Sequence, residues 1–218
     1  MTILARRSAA KGETAGADGS FKRASIGGSF KHAVIGGSFK HALIGVLGLI
    51  GIGASFFAAP DLAGLAGAAL ALNMLAIAVI DWRLFIIPDP LNALALALGL
   101  LAVGFEDRGE RLTLALDAAI RGATMAALFL AFRFAYRRLR GREGMGLGDV
   151  KLAGVAGVWL DWPSLPIAVE IAALAALGFV LSRHIQPRRA LDPLTKLPFG
   201  AFFAPAIWFC WAWARCWS

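Results

Sequence analysis

Apolar residues in this chain fall in long runs separated by short polar connections. Seven runs stand out, at about Ala42–Ala58, Leu62–Ile80, Leu91–Phe105, Leu112–Ala135, Asp149–Leu160, Leu165–Leu181 and Phe199–Trp213. Most approach the ~20 helical residues that cross a hydrocarbon core of ~30 Å. Lipid offers no water to backbone N–H and C=O groups, so such runs must close their hydrogen bonds internally, as helices. The pattern predicts an all-α, polytopic integral membrane protein with about seven transmembrane helices. The range is six to eight, because the third and fifth runs are short. Composition agrees: 59% of the 218 residues are hydrophobic, against roughly 45–50% in soluble domains.

The net charge of +8 is informative through its placement. Arg137, Arg138, Arg140 and Arg142 fall between runs four and five, with Lys151 at the start of run five. Arg183, Arg188, Arg189 and Lys196 fall between six and seven, and Lys22, Arg23, Lys31 and Lys40 precede run one. The alternate connections, Pro60-Asp61, Glu106 to Arg111 and Asp161 to Ser164, carry no basic cluster. The positive-inside rule then places the N-terminus, both basic loops and the turn from Trp82 to Pro90 in the cytoplasm. Nucleic acid is set aside as a partner, because topology already explains where these charges sit.

Residues 1–41 read as a flexible basic arm and 42–218 as the membrane domain. The arm contains a nine-residue unit three times, GSFKRASIG, GSFKHAVIG and GSFKHALIG, the last running into the first apolar run. The unit is too short for a solenoid. It suits either a duplicated flexible segment or contact with anionic membrane lipids. Run one also has a rival reading as a signal peptide, but a leader of some forty residues departs from the usual ~15–30. An uncleaved helix is expected. Cys210 and Cys216 form no CxxC and have no histidine at metal spacing, so no zinc site is expected and both read as packing residues.

Two carboxylates carry the candidate chemistry. Asp149 lies in Gly144-Met145-Gly146-Leu147-Gly148-Asp149-Val150-Lys151, at the start of run five, and Asp81 ends run two. Ionisable residues at the bilayer are costly and therefore functional by default. By helix counting both reach the cytoplasmic face, where they can meet if the second and fifth helices pack together. Two such groups can share a proton around a water and perform aspartyl proteolysis, with no metal, other cofactor or covalent nucleophile. Gly144, Gly146 and Gly148 can take positive φ and admit close neighbours, and a mobile start to the fifth helix would let Asp149 approach Asp81. Lys151 either neutralises Asp149 or reaches the headgroups. Pro88 and Pro90 force a turn. Asp89 competes for the catalytic role or caps the third helix, and Asn92 helps close the turn. Asp117 lies away from the site, Asp192 near enough to bind substrate, and Glu170 has no assigned role.

At these residues the chain resembles the type IV prepilin peptidases, GxGD-type aspartyl proteases of bacterial inner membranes. Asp81 through Asn92 is similar to the family's D…IPN/IPD segment. Gly144 through Lys151 carries its GxGD signature followed by Lys. Leu197-Pro198-Phe199-Gly200-Ala201-Phe202 is similar to its late PFGP segment, with Ala201 in place of the usual proline. The resemblance covers roughly residues 62–214. It implies cleavage of the short basic leader of prepilins or pseudopilins at the cytoplasmic face, with Asp81 and Asp149 as catalytic pair. It also implies that Gly146, Gly148, Lys151, Pro88, Asp89, Pro198, Phe199 and Gly200 shape the site or bind substrate. Pro198-Phe199-Gly200 reads equally as a helix start. Partners would be pilus or secretion assembly proteins, of the Flp/Tad or type II systems. Many members also methylate the new N-terminus through a domain with two CxxC pairs. None is present in these residues, so methyltransferase activity is not expected.

Two alternatives stand beside this. A non-catalytic carrier or assembly scaffold could use intramembrane carboxylates for protons or cations, but carriers more often place them near the midplane between repeats. A signal-peptide-peptidase-like enzyme would commonly carry Tyr-Asp where this chain has Ile80-Asp81.

Overall fold

A computed structural model describes residues 41–104, 110–184 and 197–217. Their regular structure is entirely α-helical: α1 His41–Ala58, α2 Leu62–Leu84, α3 Asp89–Val103, α4 Arg111–Arg140, α5 Leu147–Trp159, α6 Ser164–His184 and α7 Gly200–Cys216. Residues 47–218 group into one compact unit, and residues 1–46 into another of which only 41–46, the start of α1, are described. Two copies of the nine-residue repeat, the first four residues of the third, Glu106, Asp107, Arg188, Arg189, Asp192 and Lys196 lie outside the described residues.

Seven helices thus stand where seven apolar runs predict them, yet among the described residues only α1, α2, α4 and α6 are long and apolar enough to cross a membrane. The others are shorter: 15 residues in α3, 13 in α5 and 17 in α7. At about 1.5 Å per residue, α5 extends only ~20 Å. The chain is therefore an all-α membrane protein in which three of the seven described helices fall short of a full span.

Helix ends follow local chemistry. Asp61 caps α2, its carboxylate accepting from the backbone N–H of Ala63 at 2.9 Å. No breaker separates Ile80 from Pro88, so α2 runs one turn beyond Asp81 and ends on Phe85. Phe85 has φ 54°, and its N–H donates to the Asp81 carbonyl at 2.9 Å. A bulky residue in the left-handed region is uncommon, and here it closes the turn that carries Asp81. Pro88 and Asp89 start α3. Gly141, at φ 67°, ends α4, the left-handed close that glycine permits.

The core is centred on α5, which packs against α3, α4 and α7, while α2 packs on α3 and α7. Leu152, Ala153, Val155 and Ala156 of α5 meet Leu70, Met74 and Ile77 of α2 and Phe203, Ala204 and Ile207 of α7 in one buried cluster. This brings the last turn of α2 and the first turns of α5 and α7 to one end of the bundle.

Candidate active site

The two carboxylates singled out by sequence lie at that end. Asp81 is 5% exposed and Asp149 9%. They are near enough for the charge of Asp81 to act on Asp149. Each is held by backbone rather than by a cation. The N–H of Ala201 donates to Asp81 Oδ2 at 2.9 Å, and the N–H of Gly146 donates to Asp149 Oδ2 at 3.2 Å. The second bond is half of a capping box: Asp149 is the third residue of α5 and Gly146 its N-cap. None of the ion pairs among the described residues includes either aspartate.

Ile87 joins the pieces. It is buried at 8% exposure between the first turns of α5 and α7. A Cβ on Gly148 would fall 2.8 Å from Ile87 Cβ, and one on Gly200 would fall 2.5 Å from Ile87 Cδ1 and 3.0 Å from Asp81 Oδ2. Glycine is required at both positions for close approach. The expectation of positive φ at Gly144, Gly146 and Gly148 is overturned: among the described glycines only Gly141 has it. The loop does its work through absent side chains, with Gly144 pressed on the Tyr136 ring.

The remaining residues divide. Phe199 is the N-cap of α7, and its ring lies 5.4 Å from Phe203 and 6.4 Å from Phe129. Pro198 is buried just ahead of that cap, so the segment starts α7, and its Gly200 lies against the Asp81 carboxylate. Lys151 does not pair with Asp149. Its ammonium donates to Asp89 Oδ1 at 2.6 Å, tying α5 to the first residue of α3. Both side chains are largely exposed, 47% and 70%, so the pair adds little stability. Lys151→Met is expected to cost no more than ~1 kcal/mol in thermal unfolding; a larger loss would show that the pair holds α3 to α5. Asn92 does not close the turn through its side chain, whose nitrogen and oxygen are both buried without partners among the described residues.

Two residues escaped sequence reading. Ile87 carries no signal beyond preceding Pro88. Arg133 carried one, since a cation within the apolar α4 must find partners. It donates to the Met145 carbonyl at 2.7 Å and to Glu143 at 2.9 Å, anchoring the glycine loop. At the other end of the bundle Asp117 pairs with Arg121, which also donates to the Gly157 carbonyl. Glu170 is exposed on α6, and Cys216 is exposed whereas Cys210 is buried, so only the second is a packing residue.

Comparison with known proteins places this geometry. The model of the type IV leader peptidase family matches residues 68–181. That span holds Asp81, Pro88, Asp89, Gly146, Gly148, Asp149 and Lys151 and leaves Pro198, Phe199 and Gly200 beyond it. The chain is similar to a prepilin leader peptidase/N-methyltransferase of Burkholderia pseudomallei, 35% identical over 158 residues, which are 72% of this chain and 49% of that protein. It is similar to the Pseudomonas aeruginosa protein of that name, 36% identical over 68% of this chain and 50% of the relative. With the Aeromonas hydrophila protein the identity is 31%, over 76% of this chain and 55% of the relative. The chain spans about half the length of these curated relatives. No solved structure matches it. With its signature residues gathered at one end of the bundle and more than half its length matched, the chain belongs to the type IV leader peptidase family.

Proposed function

We propose that this protein is a membrane aspartyl endopeptidase that removes the short basic leader of type IV prepilins or pseudopilins. The observation that carries the reading is the pair Asp81 and Asp149, both buried, in electrostatic reach of one another and held by backbone N–H groups, with no ion pair to either among the described residues. Carboxylates so placed do not both ionise, and the pair holds one proton. The ionised member takes a proton from water as its oxygen bonds to the scissile carbonyl carbon. The protonated member donates its proton to the carbonyl oxygen. When the tetrahedral adduct collapses, the C–N bond breaks and the departing amine leaves with the proton taken from water. Gly146, Gly148 and Gly200 let the segments around the pair pack closely, with Ile87 seated against the last two. Pro88, Asp89, Lys151, Pro198 and Phe199 fix the segments that border it.

The enzyme works at the cytoplasmic face of the bacterial inner membrane as a multi-pass protein with its N-terminus inside. Basic loops at the dyad's end of the bundle support this orientation. Its substrates and assembly partners are those of Flp/Tad pili or type II secretion, and it takes no cofactor. One experiment tests reaction and orientation together: a prepilin-type peptide is added to the outside of inverted inner-membrane vesicles, which present the cytoplasmic face, and to right-side-out vesicles. Leader removal is expected in the inverted preparation alone, with a bell-shaped pH profile because the pair must keep one proton. Cleavage in neither preparation overturns the peptidase reading, and cleavage only in right-side-out vesicles overturns the orientation.

A further inference from the structure

Asp149 is held by a backbone N–H, and a cation holds the other end of the same peptide unit. The Gly146 N–H donates to Asp149 Oδ2 at 3.2 Å. The Met145 carbonyl, across the peptide bond from that N–H, accepts from Arg133 Nη1 at 2.7 Å. The C=O and N–H of a trans peptide point in opposite directions within one plane. The Met145–Gly146 unit therefore lies between the Arg133 guanidinium on one side and the Asp149 carboxylate on the other.

Arg133 is well placed to clamp that unit. Its side chain is 12% exposed and stands on α4, which packs along α5. Tyr136 lies three residues on and so shares the same face of α4. Its ring presses on Gly144, where a Cβ would fall 2.5 Å from Tyr136 Cδ1. One helix face thus grips the loop at two successive residues, 144 and 145. Arg133 Nη2 donates to Glu143 at 2.9 Å, and Arg137 lies 3.6 Å from the same carboxylate. Glu143 is exposed, so these ion pairs contribute little. The bond to Met145 is the one that leads to the dyad. A charged donor makes a stronger hydrogen bond than a neutral one. Bonds in a chain polarise each other, so donation into the Met145 carbonyl makes the Gly146 N–H a better donor to Asp149.

We propose that Arg133 is a positioning residue of the dyad, fixing the Asp149 carboxylate within reach of Asp81 through the Met145–Gly146 peptide. The inference rests on the peptidase reading and adds to it a residue that acts on the dyad from a neighbouring helix. Without this hold the carboxylate shifts with its loop, and a displacement of ~1 Å at a reacting group costs up to ~10²-fold in rate.

The test uses the full chain in lipid nanodiscs, with a prepilin-type peptide as substrate. Met145–Gly146 is the one Met-Gly step in the sequence. Isotope labelling of methionine carbonyl carbon and glycine nitrogen therefore reports on that peptide unit alone by NMR. Arg133→Met is expected to speed hydrogen exchange of the Gly146 N–H and to lower kcat by ~10-fold or more with KM retained. Arg133→Lys keeps a cationic donor for the single bond to Met145 and is expected to bring both readings to within ~3-fold of the parent. Glu143→Gln leaves the Met145 bond in place and is expected to match the parent. Should Arg133→Met fail to fold, Arg133→Gln takes its place with the same expectation, since its amide nitrogen ends two bonds short of Nη1.

Unchanged kcat in Arg133→Met, whatever the exchange rate, overturns the inference and leaves the peptidase reading intact. So does a rise in KM with kcat retained, which would put Arg133 in substrate binding. Arg133→Lys no better than Arg133→Met also overturns it. Equal losses in Glu143→Gln and Arg133→Met overturn the route through Met145 and put the hold in the ion pair. If the parent never cuts, the peptidase reading falls, and the exchange rate alone decides whether Arg133 holds the Asp149 loop.

Discussion

Asp81→Asn and Asp149→Asn are each expected to reduce leader cleavage by ~10²-fold or more while leaving the protein folded in detergent. Asparagine is nearly isosteric with aspartate and keeps an oxygen that accepts a hydrogen bond. In Asp149→Asn that oxygen still takes the Gly146 N–H and preserves the cap of α5. In Asp81→Asn it still takes the Ala201 N–H at the start of α7. The substitutions therefore remove proton chemistry and spare the local structure. Asp61→Asn is the matched control, since Asp61 only caps α2 and asparagine caps a helix equally well. Cleavage is followed by mass spectrometry of the released leader, and helicity by circular dichroism. If both dyad variants cut like the parent, the pair is not catalytic and the carrier or scaffold reading takes its place.

The largest effect on stability is expected far from the dyad, at Gly157→Val. A Cβ there would lie 2.5 Å from the Arg121 carbonyl carbon and oxygen and 2.6 Å from the Gly122 Cα. These are backbone atoms of α4, which cannot rotate away as a side chain can. The helices must separate, and the bond from Arg121 Nε to the Gly157 carbonyl, 3.1 Å long, is stretched with them. Overpacking of this kind costs ~1–3 kcal/mol. Thermal unfolding in detergent measures it, with Gly178→Val as reference, because a Cβ at Gly178 meets nothing within 4 Å. The reference is expected to stay within ~0.5 kcal/mol of the parent. Equal melting of the two variants would show that α4 and α5 are not locked at this point.

Sequence reading located the helices well and their ends less well. Apolar runs report burial or lipid contact, and both give the same pattern, so α3, α5 and α7 read as spans although they fall short in length. Asp81 read as the last residue of its helix because hydropathy drops there. Backbone hydrogen bonding does not follow hydropathy, and it continues to Phe85. The glycine loop read as a source of positive φ, whereas the described structure uses Gly148 for the space it leaves Ile87, a requirement imposed by a residue sixty positions away in the chain.

The chain by itself determined that the protein is all-helical and built for a membrane, because unbroken apolar runs allow no other way to satisfy backbone groups in lipid. It also marked Asp81 and Asp149, because a carboxylate at the end of an apolar run is expensive enough to stand out locally. Tertiary structure alone decided that Lys151 joins Asp89 rather than Asp149. It also decided that Ile87 fills the space between two glycines, that Arg133 anchors the loop and that Asn92 is buried with no side-chain partner among the described residues. Each of these depends on which helix faces travel together, and packing across the bundle selects those faces through contacts that no local pattern encodes.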